Sequence, residues 1–162
     1  MGLFNKILKR ETVIEVGAVM AGTCIDLKEV PDEAFSQGIL GQGVAVIPTD
    51  GKVYAPADGE LVVVFPTGHA VAMKTEEGVE ILIHVGLDTV TLEGKPFTIH
   101  AVQGNTVKKG DLLLEVDLEQ IKAMGLNPVT PILITNANEF SAVEGISGNT
   151  VSSGDVVIRV RK

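Results

Sequence analysis

Three histidines, His69, His84 and His100, carry what chemistry this sequence offers. The usual phosphate-handling and hydrolytic patterns are missing. G-x-x-x-x-G-K-[ST] does not occur, and Gly41-Gln42-Gly43 lacks the third glycine of a dinucleotide loop. G-x-S-x-G and H-E-x-x-H are also absent. The single cysteine, Cys24, excludes an internal disulfide and a Cys-rich metal site. His100, in Phe97-Thr98-Ile99-His100, has no neighbour that suggests a role and reads as structural.

The other two histidines sit in a pattern. Val79–Val85 reads VEILIHV, and period-two alternation puts Val79, Ile81, Ile83 and Val85 on one apolar face. Glu80, Leu82 and His84 fall on the other, mixed face, where a side chain can meet solvent or a partner. The preceding run, His69–Lys74, is separated from it by the polar Thr75-Glu76-Glu77-Gly78. A hairpin closed by that loop pairs Lys74 with Val79 and sets His69 directly opposite His84, with Cβ atoms about 5 Å apart. A slip of one residue would separate the rings. Two facing imidazoles admit three readings. One ring could accept a phosphoryl group while the other donates a hydrogen bond to its oxygens. The pair could hold half of a zinc site, completed by a partner ligand or water. It could also be a structural pair.

The surroundings fit a docking face. Phe65 precedes His69 by four residues, and Phe35, Ile39 and Leu40 lie in a stretch punctuated by Gly38, Gly41 and Gly43. Asp32 and Asp88 could ring such a patch with charge, which suits a transient basic partner. For Phe35 alone an ordinary core position is the simpler reading. The net charge of −8 argues against a nucleic-acid role and favours basic protein partners or plain solubility.

The elements that must position these residues are mostly strands. Apolar runs at Val44–Ile47, Glu60–Phe65, Val79–Val85, Asp111–Val116, Pro131–Thr135 and Val156–Val160 are separated by Gly, Pro and Asp turns. Short helical turns are expected at Asp32–Gln37, Leu118–Met124 and Glu139–Val143. Gly104-Asn-Thr-Val-Lys-Lys-Gly110-Asp111 recurs 44 residues later as Gly148-Asn-Thr-Val-Ser-Ser-Gly154-Asp155, each time before an apolar run. The repeat predicts an all-β fold built from similar hairpin units. The 162 residues, 45% hydrophobic with 18 glycines, suffice for one domain with a core of Val and Ile. No signal peptide or spanning run is evident, so the cytoplasm is the expected compartment. Residues 1–12 are expected to be a flexible segment apart from a single domain over 13–162. On a helix, Leu3, Phe4, Ile7 and Leu8 would share a face beside Lys6, Lys9 and Arg10, which could lie on an anionic membrane. Lys6 stands where a myristoylation signal at Gly2 wants Ser or Thr.

The chain resembles the enzyme IIA-glucose family of the bacterial phosphoenolpyruvate-dependent sugar phosphotransferase system. Ala55-Pro-Ala-Asp-Gly59, Thr67-Gly-His69-Ala, Gly78-Val-Glu-Ile-Leu-Ile-His84-Val-Gly-Leu-Asp88-Thr-Val and Val107-Lys-Lys-Gly110-Asp111 carry the likeness, which runs from about Val13 to the C-terminus. The resemblance implies an antiparallel β-sandwich of the duplicated hybrid-motif type. It implies a phosphotransferase component in which His84 is the phosphorylated residue, His69 supports the phosphoryl group and Thr67 orients His69. It implies a phosphoryl donor, HPr, and an acceptor cysteine on the IIB domain of a sugar permease, where sugar specificity lies. Asp32, Phe35, Ile39, Leu40, Phe65 and Asp88 align with the family's docking face. The family's N-terminal segment can associate with membrane, some members also bind regulatory proteins, and no cofactor is required. Gly68 and Pro66 depart from the family pattern at positions that bear on partner affinity. A competing reading takes Val71-Ala-Met73-Lys74 as the hairpin of a biotinyl or lipoyl carrier modified at Lys74. Thr75 stands where such domains have a second Met, and the chain is about twice the length they need.

Overall fold

The computed structural model describes residues 12–162, so the amphipathic reading of residues 3–10 lies outside the described residues. Its largest sheet has eight strands, every neighbouring pair antiparallel. In spatial order they are β13 (Thr150–Val151), β2 (Gly22–Asp26), β3 (Gln42–Pro48), β11 (Thr130–Ile134), β7 (Glu80–His84), β6 (Ala70–Lys74), β5 (Gly59–Val64) and β9 (Thr106–Val107). Two three-stranded sheets complete the sandwich. One is β1 (Val13–Gly17), β14 (Val156–Arg161) and β12 (Ala142–Gly145); the other is β4 (Lys52–Tyr54), β10 (Leu112–Val116) and β8 (Phe97–Ile99). Their inward Val, Leu and Ile side chains, among them Val16, Val53, Leu114 and Ile158, share one core with Val71, Ile81, Ile83 and Ile132 of the large sheet.

The strand alternation read from the sequence holds in β7, where Ile81 and Ile83 are buried while Glu80, Leu82 and His84 are partly exposed. β11 differs, being buried at every residue. Ile132 and Ile134 enter the main core, whereas Leu133 points to a second cluster with Leu27, Val30, Phe35, Ala45, Leu87 and Val129. That cluster covers the other face of the large sheet and lies beneath His84. It is roofed by a 3-10 turn at Leu27–Glu29 and by helix α1 (Glu33–Ser36), whose N-cap Asp32 accepts the Ala34 N–H at 3.0 Å. The second helix, α2 (Leu118–Ala123), begins at Asp117, which accepts from Gln120 N at 3.0 Å.

Three local expectations change. Glu139–Val143 is not helical: a 3-10 turn spans Ala137–Glu139, and Ala142 already begins β12. The β6–β7 hairpin pairs Lys74 with Glu80 rather than with Val79, because Val79 turns into the core and its N–H donates to Thr75 Oγ1 at 3.0 Å. Ala70, not His69, therefore stands opposite His84. Finally, the repeated segments are not hairpins. β9 and β13 each join the large sheet, and the chain then crosses to a small one, as β10 and β14.

The repeat reflects a whole-fold duplication. Read from either end, the eight-stranded order places matching strands, with β2 matching β5, β3 matching β6, and β11 matching β7. Backbone bonds repeat as well. Cys24 N to Asn149 O at 2.9 Å matches Leu61 N to Asn105 O at 2.9 Å. Gly154 N to Ala18 O at 2.8 Å matches Gly110 N to Ala55 O at 2.9 Å. Cys24 is fully buried, and desolvation pushes its thiol up to about 11.

Candidate functional site

His84 is the last residue of β7, and its mixed face leaves the ring half-buried above Phe35. Phe35 and His84 have centroids 5.1 Å apart at 59°. Beyond the strand the chain turns at Gly86, whose φ of 78° lies in the left-handed region. The turn carries the Gly86 carbonyl back to 2.8 Å from His84 Nδ1. A carbonyl only accepts, so Nδ1 holds the proton in the neutral ring and Nε2 keeps the lone pair.

His69 reaches the same place by another route. The loop of residues 65–69 joins β5 to β6, closed by Gly68 N to Phe65 O at 2.7 Å and Phe65 N to Ala70 O at 3.1 Å. As the final loop residue, His69 is free of strand alternation. Its backbone carbonyl accepts from Val85 N at 2.7 Å, while its ring meets His84 with centroids 5.2 Å apart and planes at 80°. The rings thus come together although the register differs by one from the sequence expectation. Phe65 flanks His69 edge-on at 5.2 Å. Thr67 Oγ1 bonds to His69 Nδ1, so Nε2 is the free nitrogen on this ring too.

Burial is the main reason that both imidazoles titrate below the ordinary value. The neighbouring His84 adds to the effect at His69. At His84 the Gly86 carbonyl and the carboxylates of Asp32 and Asp88 work against it. Both rings are therefore neutral at neutral pH, as a nucleophile and a neutral donor must be.

Asp32, Asp88, Phe35 and Phe65 lie about the pair, and Ile39 (69%) and Leu40 (41%) are exposed in the loop after α1. Phe35, expected on a docking face, is 4% exposed and packs beneath the His84 ring instead. His100 bonds Glu115 at 2.7 Å and takes no part. Among the described residues, no group of three or more His, Cys, Asp or Glu is placed to hold a metal. The Gly86 carbonyl has no sequence signal of its own, since any residue offers a carbonyl; what marks the position is the glycine that can turn it.

Comparison with known proteins decides what this geometry belongs to. Residues 14–140 match the family model of the phosphoenolpyruvate-dependent sugar phosphotransferase system, EIIA 1. The chain belongs to this EIIA family. It is 39% identical to the PTS system glucose-specific EIIA component of Haemophilus influenzae, with the whole of both chains covered. It is 42% identical to the PTS system beta-glucoside-specific EIIBCA component of Halalkalibacterium halodurans over 91% of its own length, and spans 23% of that larger protein. Glucose permease IIA from Mycoplasma capricolum has the same fold, with a TM-score of 0.84 at 39% identity, covering 91% of this chain and 96% of that one. As an EIIA protein the chain is a phosphocarrier, a phosphotransferase component of the sugar phosphotransferase system. The carrier-arm reading of Lys74 lapses with the family match; Lys74 ends β6, its Nζ 4.0 Å from Glu80. Among the described residues no helix is long and apolar enough to cross a membrane.

Proposed function

We propose that His84 Nε2 is the atom of this EIIA protein that accepts the phosphoryl group, from HPr, and passes it to a cysteine of a permease IIB domain. The supporting observation is the His84 Nδ1–H bond to the Gly86 carbonyl, which leaves Nε2 unprotonated. In the transfer Nε2 attacks phosphorus. The bond from phosphorus to the donor breaks, and its electron pair leaves with the donor. The ring becomes formally cationic. The proton stays on Nδ1, hydrogen-bonded to the Gly86 carbonyl, and Asp32 and Asp88 offset the charge. His69 donates from Nε2–H to the phosphoryl oxygens, with its Nδ1 accepting from the Thr67 hydroxyl. Ile39, Leu40 and Phe65 form the docking patch, rimmed by Asp32 and Asp88. EIIBCA relatives, whose names combine B, C and A in one protein, favour IIB as the receiver.

The protein acts in the cytoplasm in this reading, and the amphipathic sequence of residues 3–10 brings residues 13–162, as one unit, to the membrane-bound partner. A zinc ion would need the other His69 tautomer, with Nδ1–H donating to Thr67 Oγ1 and Nε2 bare, and further ligands from a partner or water. The sugar is set by that partner.

The test is incubation with phosphoenolpyruvate, enzyme I and HPr, followed by mapping of the phosphorylated nitrogen. The expected product carries an acid-labile phosphoryl group on His84 Nε2, and His84→Gln carries none. His69→Ala still accepts phosphate but passes it to IIB about a hundredfold more slowly. Phosphate retained by His84→Gln overturns the assignment.

A further inference from the structure

Thr89 belongs to the Val85-Gly86-Leu87-Asp88-Thr89-Val90 segment, yet the transfer chemistry above gives it no task. It is fully buried. Asp88 precedes it in the left-handed conformation, at φ 59°, and this turns the following 3-10 turn, Thr89–Leu92, back over the end of β7. The Thr89 hydroxyl donates to the Val85 carbonyl at 2.5 Å. Its methyl lies 2.5 Å from the point where a Cβ on Gly86 would stand, so it packs on the bare Gly86 Cα. The next peptide is held from the far side, because Leu87 N donates to the Asn127 carbonyl at 2.9 Å. The two peptide planes that meet at Gly86 are thus each pinned by a hydrogen bond. The second plane contains the carbonyl that accepts the hydrogen bond from His84 Nδ1–H.

We propose that Thr89 is a positioning residue for phosphoryl transfer: its hydroxyl on the Val85 carbonyl and its methyl on the Gly86 Cα fix the Gly86 turn, and with the Leu87–Asn127 bond on the next peptide they aim the Gly86 carbonyl that keeps His84 in the Nδ1–H tautomer with Nε2 as the nucleophile. The proposal rests on the reading of His84 as the phosphorylated residue. With the Val85–Gly86 peptide released, the turn at Gly86, a residue with no side-chain restraint, can shift and carry its carbonyl off His84 Nδ1, which lets the proton move to Nε2. The misprotonated ring has no lone pair to offer phosphorus at the nitrogen that faces the partner.

Thr89→Val keeps the shape and removes the hydroxyl; Thr89→Ser keeps the hydroxyl and removes the methyl. Imidazole nitrogen NMR of the unphosphorylated protein reads the tautomer directly. The wild type and Thr89→Ser are expected to show the Nδ1–H form of His84, and Thr89→Val a mixture. With loss of one buried hydrogen bond, kcat for transfer from phospho-HPr falls about tenfold in Thr89→Val while KM changes less than about twofold. Thr89→Ser stays within about threefold of wild type by the same measure. A wild-type nitrogen spectrum in folded Thr89→Val overturns the proposal, as does a tautomer mixture in Thr89→Ser. Should Thr89→Val not fold, Thr89→Cys, a weak donor, decides: a partial mixture supports the role and an unchanged spectrum overturns it. If phosphate maps elsewhere than His84 in the wild type, the functional reading fails while the tautomer spectra still test what Thr89 holds.

Discussion

Gly68 stands between Thr67 and His69 at φ +75°, and a Cβ there would lie 2.8 Å from Phe97 Cβ and 3.0 Å from Ile99 Cγ1. Both the backbone conformation and the close approach of β8 ask for glycine. Gly68→Ala is expected to cost about 1–3 kcal/mol in denaturant unfolding. It should also slow onward transfer to IIB more than acceptance from HPr, because the loop it distorts carries His69 and not His84. Equal effects on the two half-reactions would mean that the loop does not set His69. At this scale the sequence was partly legible. Alternation placed His84 correctly on the mixed face of β7. The pairing with His69 was reached through a register that the structure shifts by one, since Val79 prefers the core to the position opposite Lys74. The rings meet because a loop residue escapes the alternation rule, and no period-two pattern encodes that.

At the scale of elements, the two repeated turns act as equivalent parts. Asp111 accepts from Lys108 N at 2.9 Å, and Asp155 accepts from Ser152 N at 2.8 Å, each at an exposed bend before a long strand. Asp111→Ala and Asp155→Ala should each lower stability by about 0.5–1.5 kcal/mol. They share no partner, so the double variant should equal the sum within about 0.5 kcal/mol. Denaturant titration of the two single variants and the double variant checks both statements, and a marked excess in the double variant would show that the turns are coupled. The strands themselves were readable from Val- and Ile-rich runs bounded by Gly and Asp. Their partners were not. β9 and β13 are two residues long and carry too little pattern to say which strand they meet, so adjacent segments suggested hairpins where the chain in fact changes sheets. The same shortage misassigned Glu139–Val143, where a 3-10 turn gives way to β12 within three residues of its end.

Across the whole molecule the duplicated halves are nested rather than consecutive. One half, β4 to β10, is a continuous stretch from Lys52 to Val116 and contains His69 and His84. The other is split around it, and its two pieces meet at β3–β11, β2–β13 and, over the longest separation, at β1–β14, where Val13 pairs with Arg161. Closing that long loop costs more chain entropy than forming the β6–β7 hairpin, in which Lys74 pairs with Glu80. Pulse-labelled hydrogen exchange during refolding should therefore protect β5, β6 and β7 before β1 and β14; the reverse order would refute the nested view. The continuous half supplies the two imidazoles, Thr67, Gly86 and Thr89. The split half supplies Phe35 beneath the His84 ring and the Asn127 segment that fixes Leu87. The rings thus share a half with their hydrogen-bond partners, while the Phe35 support and the Leu87–Asn127 bond are added only when the split half closes. If that order holds, refolding intermediates with β5–β7 protected but β1 and β14 still open are expected to take phosphate more slowly than the finished fold.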